Sequence, residues 1–273
     1  MEGTTCLNCN AQVADHAKFC ANCGQMKDVH RFTMPNFFHE VFHAFTHTDK
    51  GIFHLLKSLA TKPGTTAREY ISGRRKHYFN PFTFFLILMG IFVLSNNFFV
   101  KPRKAFEPDA KVLQHIPTEE GRQQYITMME RVTTSSNFFR KHGNVVAMIA
   151  VPFISLFTWL FFRRRRYNYA EHLTANMMFV AFSNLVFTFI IFPLAALLDT
   201  SDLSTFIALL LQVCYFTWSL NGFLELTTAG QRAKSFFVSL LAIFLWSVFT
   251  ITAMAIYIYQ SRDFYQFFTR MGG

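Results

Sequence analysis

The stretch KPGTTAREYISGRRKHYFNP, residues Lys62–Pro81, decides the fold, because a paired-cysteine pattern lies before it and almost everything after it is apolar. Pro63 and Gly64 end whatever helix precedes them. Thr66 with Glu69 reads as a capping box for a short helix, which Gly73 stops. Arg74, Arg75 and Lys76 follow, and Asn80-Pro81 opens a long apolar run. Lys and Arg beside the end of a membrane span are retained on the cytoplasmic side, so this basic cluster is where the chain is expected to meet a membrane and to fix its orientation.

Working towards the C-terminus, five runs approach the roughly 20 apolar residues that cross a hydrocarbon core of about 30 Å. They lie near Phe82–Val100, Val145–Phe162, Ala175–Leu198, Thr205–Leu226 and Phe236–Tyr259. Backbone groups in lipid must pair internally, and the short alternating segments of a barrel are absent, so these runs read as helices, with Pro152 and Pro193 as kink sites. The composition agrees, with 52% hydrophobic residues and 36 Phe in 273. Charges then alternate between the runs. Arg163, Arg164, Arg165 and Arg166, then Arg232 and Lys234, join the ten basic residues before Pro81 on one side, sixteen of 26 in all. Asp199 and Asp202 fall on the other. The segment Lys101–Asn144 belongs on that other side by alternation, although its eight basic residues run against the retention rule. Within it, Pro117-Thr118-Glu119-Glu120 reads as a helix start, with Tyr125, Met128 and Val132 on one face.

Working towards the N-terminus, Cys6-Leu-Asn-Cys9 and Cys20-Ala-Asn-Cys23-Gly24 form two CxxC knuckles ten residues apart. A two-residue spacer lets one tight turn aim two thiolates at the same ion, and four thiolates suit tetrahedral zinc. A redox pair or an iron site would use the same residues, but the spacing favours one structural Zn2+. Gly24 is placed to supply a positive φ. A unit this small cannot bury enough apolar surface to fold alone, so the metal would supply folding energy. Cys214 lies inside a run and reads as packing. Residues 1 to 30 are polar and lack an apolar h-region, so the N-terminus is expected to stay in the compartment where it is made.

Between ribbon and joint, His39, His43 and His47 recur every four residues and line one helix face, with Phe38, Val41, Phe42 and Phe45 on the other. This amphipathic pattern suits a membrane interface. His39-Glu40-Val41-Phe42-His43 also matches HExxH, in which two His bind zinc and the Glu activates water. Seven of the ten histidines precede the first run, so chance matches are easy there, and a solvated or headgroup-contacting face is the plainer reading. A second metal site at His39, His43 and His47 is the alternative. Ile52, Leu55, Leu56 and Leu59 follow at helical spacing.

Within the runs, Asn96, Asn97, Asn184, Gln212 and Asn221 suit hydrogen bonds between helices, and Glu225 is within reach of Arg232 or Lys234 as an ion pair. Glu171 and His172 form an ionisable pair at a membrane boundary, read as an anchor or as a relay or ligand site.

The expected fold is therefore an all-α polytopic membrane bundle of about five transmembrane helices behind a small N-terminal zinc ribbon. The divisions are 1–27 for the ribbon, 28–81 for juxtamembrane helices and basic joint, 82–259 for the bundle with 101–144 as a long loop, and 260–273 for a tail. The ordered motifs CxNC and CxNCG, FxHxxFHxF leading into DKG, KPGxxxREYxxGxRKxYFNPF and YxEHL at Tyr169–Leu173 resemble those of an uncharacterised bacterial membrane-protein family, domain-of-unknown-function family number three-six-six-seven. The resemblance covers the first 95 residues well and the later runs loosely. It implies a cytoplasmic zinc ribbon in front of a membrane bundle and brings no catalytic residue with it; Glu40 is not a position its pattern requires.

The net charge of +10 needs no nucleic acid to explain it, since positive-inside retention and anionic headgroups at Arg74, Arg75, Lys76 and Arg163 to Arg166 account for it. A closed four-thiolate site is not a catalytic centre. The sequence points first to an adaptor in a bacterial inner membrane, multi-pass with a cytoplasmic N-terminus, whose ribbon binds a cytoplasmic partner, a protein first and an RNA second. Transport or lipid handling regulated by the ribbon comes second, and a membrane metallohydrolase on His39, Glu40 and His43 third.

Overall fold

The computed structural model describes residues 4–29, 31, 33–35, 51–99, 106–191, 193–194 and 201–271. His39, Glu40, His43, His47, Asp199 and the side chains of Asn96, Asn97 and Asp202 lie outside the described residues.

The ribbon opens with β1 (Thr4–Thr5) antiparallel to β2 (Gln12–Val13), Thr4 opposite Val13. Two short helices then lead to the joint. In α1 (Ile52–Thr61) Leu55 and Leu59 are fully buried, and Ile52 and Leu56 pack beside them, as the spacing predicts. Pro63 opens α2 (Pro63–Ile71), since a missing N–H is harmless at the first helical position and the ring presets φ. The capping box expected at Thr66 and Glu69 does not form for that reason: the helix starts before it. Thr66 instead donates to the Lys62 carbonyl from inside the helix (2.8 Å), and Glu69 accepts from Tyr78 (2.8 Å) and Arg74 (3.0 Å). Gly73, at φ +114°, ends the turn.

Asn80 caps α3 (Pro81–Phe99) by accepting from the backbone of Phe82 and Thr83. Where a long loop was expected, α4 (Ala110–Gln114) and the 23-residue α5 (Glu119–Lys141) occupy most of 101–144. Thr118 caps α5 by accepting from Gly121 N–H, as the sequence reading of that start requires. The spans continue as α6 (Gly143–Phe162), α7 (Tyr169–Val186), α8 (Ser201–Phe223) and α9 (Ala229–Met271). A π turn, Phe187–Ile191, extends α7 towards Pro193, which has no N–H to give the preceding turn; Thr188 O accepts from Ser95 Oγ at 3.5 Å. The tail expected from residue 260 is helical through Met271.

Among the described residues, four helices are long and apolar enough to cross a membrane: Gly143–Phe162, Tyr169–Ile191, Phe206–Phe223 and Ala229–Tyr259. The 19 residues of α3 add roughly 28 Å of helix at 1.5 Å per residue. Leu94, Phe98, Phe189, Phe244 and Ile251 stand exposed around the bundle, an arrangement viable in lipid rather than in water. The chain is a multi-pass membrane protein. Its central helix is α7, buried nearly all round from Ala170 to Ala181, with α2, α3, α6 and α8 against it. The much less buried α9 lies at the periphery.

One close crossing brings two backbones together, with Arg68 donating to Gly222 O beside it (3.2 Å). Gly64 of α2 lies on Gly222 of α8, and a Cβ on Gly64 would overlap Ser219 O and Phe223 N. Small residues permit such close approach of two backbones. Gly64→Ala is expected to destabilise the protein by about 1–3 kcal/mol, the usual range for overpacking. Thermal unfolding in detergent checks this against Gly90→Ala, where a Cβ meets nothing within 4 Å and stability should hold.

Candidate metal centre and its fastening to the bundle

The two knuckles are copies of one turn. Cys6 N–H donates to Ala11 O (2.9 Å) and Asn10 N–H to Cys6 O (3.0 Å); Cys20 N–H donates to Gln25 O (2.8 Å) and Gly24 N–H to Cys20 O (2.8 Å). In each, the residue after the second cysteine is left-handed: Asn10 at φ +61° and Gly24 at +71°. Asparagine tolerates that region better than most residues, so the first knuckle needs no glycine. The turns bring Sγ of Cys6 to 3.7 Å from Cys23 and Sγ of Cys9 to 3.6 Å from Cys20, with all four sulfurs within 4.8 Å of one another. A tetrahedral ion with Zn–S bonds of about 2.3 Å sets S···S edges of about 3.8 Å. The four thiolates thus fit one structural zinc ion. The hydrogen bond from Ala11 N–H, then the one from Asn22, holds the Cys9 thiol down to about 6, which favours its thiolate at neutral pH. The only buried apolar contacts of the ribbon, among the described residues, centre on Cys6, Val13 and Cys20, too few to fold it without metal.

The ribbon is fastened to the joint. Gln25, buried, accepts the Lys76 N–H through Oε1 at 2.9 Å. Leu7 and Val29 press on Gly73, where a Cβ would lie 2.8 Å from Leu7 Cδ1. Beyond the ribbon, Arg31 grips Glu171 with two bonds, Nε to Oε1 at 2.8 Å and Nη2 to Oε2 at 2.9 Å, and Nη2 also donates to the Arg166 carbonyl. The Glu171 side chain is 4% exposed. It sits in the first turn of α7 in a capping box: Asn168 Oδ1 accepts Glu171 N–H (3.0 Å) and Glu171 Oε2 accepts Asn168 N–H (2.7 Å). That hydrogen-bonded carboxylate holds the Arg31 guanidinium even more firmly protonated than usual.

The structure splits the pair that the sequence presents as one boundary site. Successive helical residues point about 100° apart. Glu171 meets Arg31, whereas His172 enters the bundle, fully buried, with Nδ1 3.2 Å from Thr158 Oγ1 and its ring edge-on to Phe223. Asn176, one turn on, donates to Thr158 (2.9 Å) and Ser155 (3.2 Å). Glu225 does not pair with Arg232 or Lys234. Held at φ +52° just past α8, its carboxylate faces Arg68 (2.7 Å) and Arg166 (3.3 Å), while Arg232 and Lys234 donate to the carbonyls of Leu226 and Phe161. Arg166 therefore belongs to a network between helices, and Arg74 to the pair with Glu69, although Arg166 stays exposed, like Arg163, Arg164 and Arg165 beside it. Nothing local announced Arg31 or Gln25; both act on residues far along the chain.

Residues 49–93 match the family model described as protein of unknown function (DUF3667), and residues 5–27 match the model of a zinc-ribbon domain. Both matches fall where the motifs CxNC, CxNCG and KPGxxxREYxxGxRKxYFNPF do, and they accord with an uncharacterised zinc-ribbon family. No curated protein and no solved structure matches the chain.

The purified protein is expected to carry one zinc per chain by native mass spectrometry. Cys6→Ser together with Cys9→Ser should lose it and expose the backbone of the ribbon to hydrogen exchange. A second zinc that survives the double substitution would mean a further metal site elsewhere.

Proposed function

We propose that this protein is a non-enzymatic adaptor of a bacterial inner membrane, whose ribbon faces the cytoplasm and holds a cytoplasmic protein against the bilayer. The observation that carries this reading is the surface of the ribbon. Phe19 and Met26, joined in a β-bridge, are 58% and 50% exposed on a domain whose metal site is closed. An exposed aromatic beside a methionine suits a protein partner. The orientation is supported by charge, since the ribbon and most of the basic residues share one end of the bundle, and by chemistry, since four cysteines that bind metal rather than form disulfides suit a reducing compartment.

A second reading, lipid handling by the bundle, is favoured by a cavity of about 380 Å³ among the spans, walled by Val146, Ile154, Val180 and Trp246 with the amides of Asn184 and Gln212. Lipids retained by the purified protein, altered by Gln212→Leu, would support it.

Crosslinking in cells followed by purification from membranes tests the adaptor reading. Phe19→Asp should remove the specific partners captured with the unaltered protein while zinc content stays the same; identical partners would overturn it.

A further inference from the structure

We infer that zinc loading of the ribbon and neutralisation of the buried Glu171 carboxylate are coupled, so that the ribbon is a metal-dependent latch on the α6–α7 end of the bundle. The inference stands whether or not the ribbon also binds a partner. Glu171 has a helix N–H, a local bond that comes with the capping box, and a guanidinium delivered from 140 residues away. Arg31 is itself 59% exposed, and the segment that carries it is held from two sides, by the ribbon before it and by Met34, which packs on the bundle core, after it.

What brings Arg31 to Glu171 is the folded second knuckle. Cys20 N–H fixes Gln25 by its carbonyl, and the Gln25 side chain takes the Lys76 N–H. Lys27 returns to the knuckle through its N–H on Lys18 O (2.9 Å) and its Nζ on Asp15 O (2.9 Å). Val29 then rests on Gly73. Each of these contacts needs the turn that Cys20 and Cys23 close around the ion. With the ion gone, the ribbon has too little core to keep the turn, and Arg31 loses its tether on the ribbon side while keeping the one through Met34, so its effective concentration at Glu171 falls. A buried carboxylate that loses its guanidinium is strongly destabilised, so the Arg163–Asn168 turn and the start of α7 loosen with it.

Linkage makes the coupling reciprocal: whatever zinc gives to the Arg31–Glu171 pair, the pair gives to zinc. A substitution inside the membrane bundle must then weaken a metal site that it does not touch.

The test uses the full chain in detergent and a chromophoric chelator competing for zinc. Glu171→Gln and Arg31→Gln should each weaken zinc binding by about 5- to 100-fold, the span of ordinary coupling energies, and the double variant by no more than the stronger single one. Unchanged affinity in both singles, or fully additive losses, would overturn the inference. Because Glu171→Gln could disturb the bundle on its own account, hydrogen exchange supplies a second measurement. Removing zinc from the unaltered protein should speed exchange across the α6–α7 turn to the level of zinc-loaded Arg31→Gln. Exchange there that ignores zinc would overturn the inference as well.

Discussion

A carboxylate out of reach of water must be met by a positive charge or by several donors, and Glu171 is met by both. Its capping box could be satisfied within α7 alone. The bidentate grip of Arg31 could not, and it joins the metal-bearing end of the chain to the central helix of the bundle. Two lesser fastenings, Gln25 on Lys76 and Leu7 on Gly73, hold the ribbon to the joint, and the Arg68–Glu225–Arg166 network ties α2 to the ends of α6 and α8. One end of the bundle is thus organised by ion pairs and backbone bonds, while its flanks present hydrocarbon.

That division follows from the solvent each part meets. In the hydrocarbon region helices gain nothing from burying leucine, so contact depends on fit and on hydroxyls that return to their own helix, such as Ser155 on Val151 O and Ser219 on Tyr215 O. At the ribbon end, where water ends, the low dielectric strengthens each paired charge and penalises each unpaired one. The His172–Thr158–Asn176 cluster lies just inside that boundary, and its members bond mainly to one another.

Local pattern carried much of this into the sequence. The CxxC spacing gave the ribbon because ligand geometry is set within four residues. The spans were legible because twenty apolar residues have few alternatives, and Asn80 and Thr118 announced helix starts. Legibility failed where partners lie far apart in the chain. Neither Gly222, inside an apolar run, nor Arg31, in a polar linker, carries a mark of what it touches. The capping box was a local pattern that lost to a stronger one, since Pro63 had already begun the helix. The separation of Glu171 from His172 was available in principle, from helical pitch alone.

The 140 residues between Arg31 and Glu171 also set an order of assembly. At about 5–20 residues per second, translation brings out the carboxylate on the order of ten seconds after the guanidinium that will neutralise it. During that interval the ribbon can fold on its ion and settle against Gly73 and Lys76 of the joint, with Arg31 still lacking its carboxylate. The guanidinium is therefore already waiting when the acidic first turn of α7 emerges, and its closure onto the bundle is a late step of biogenesis that α7 sets off.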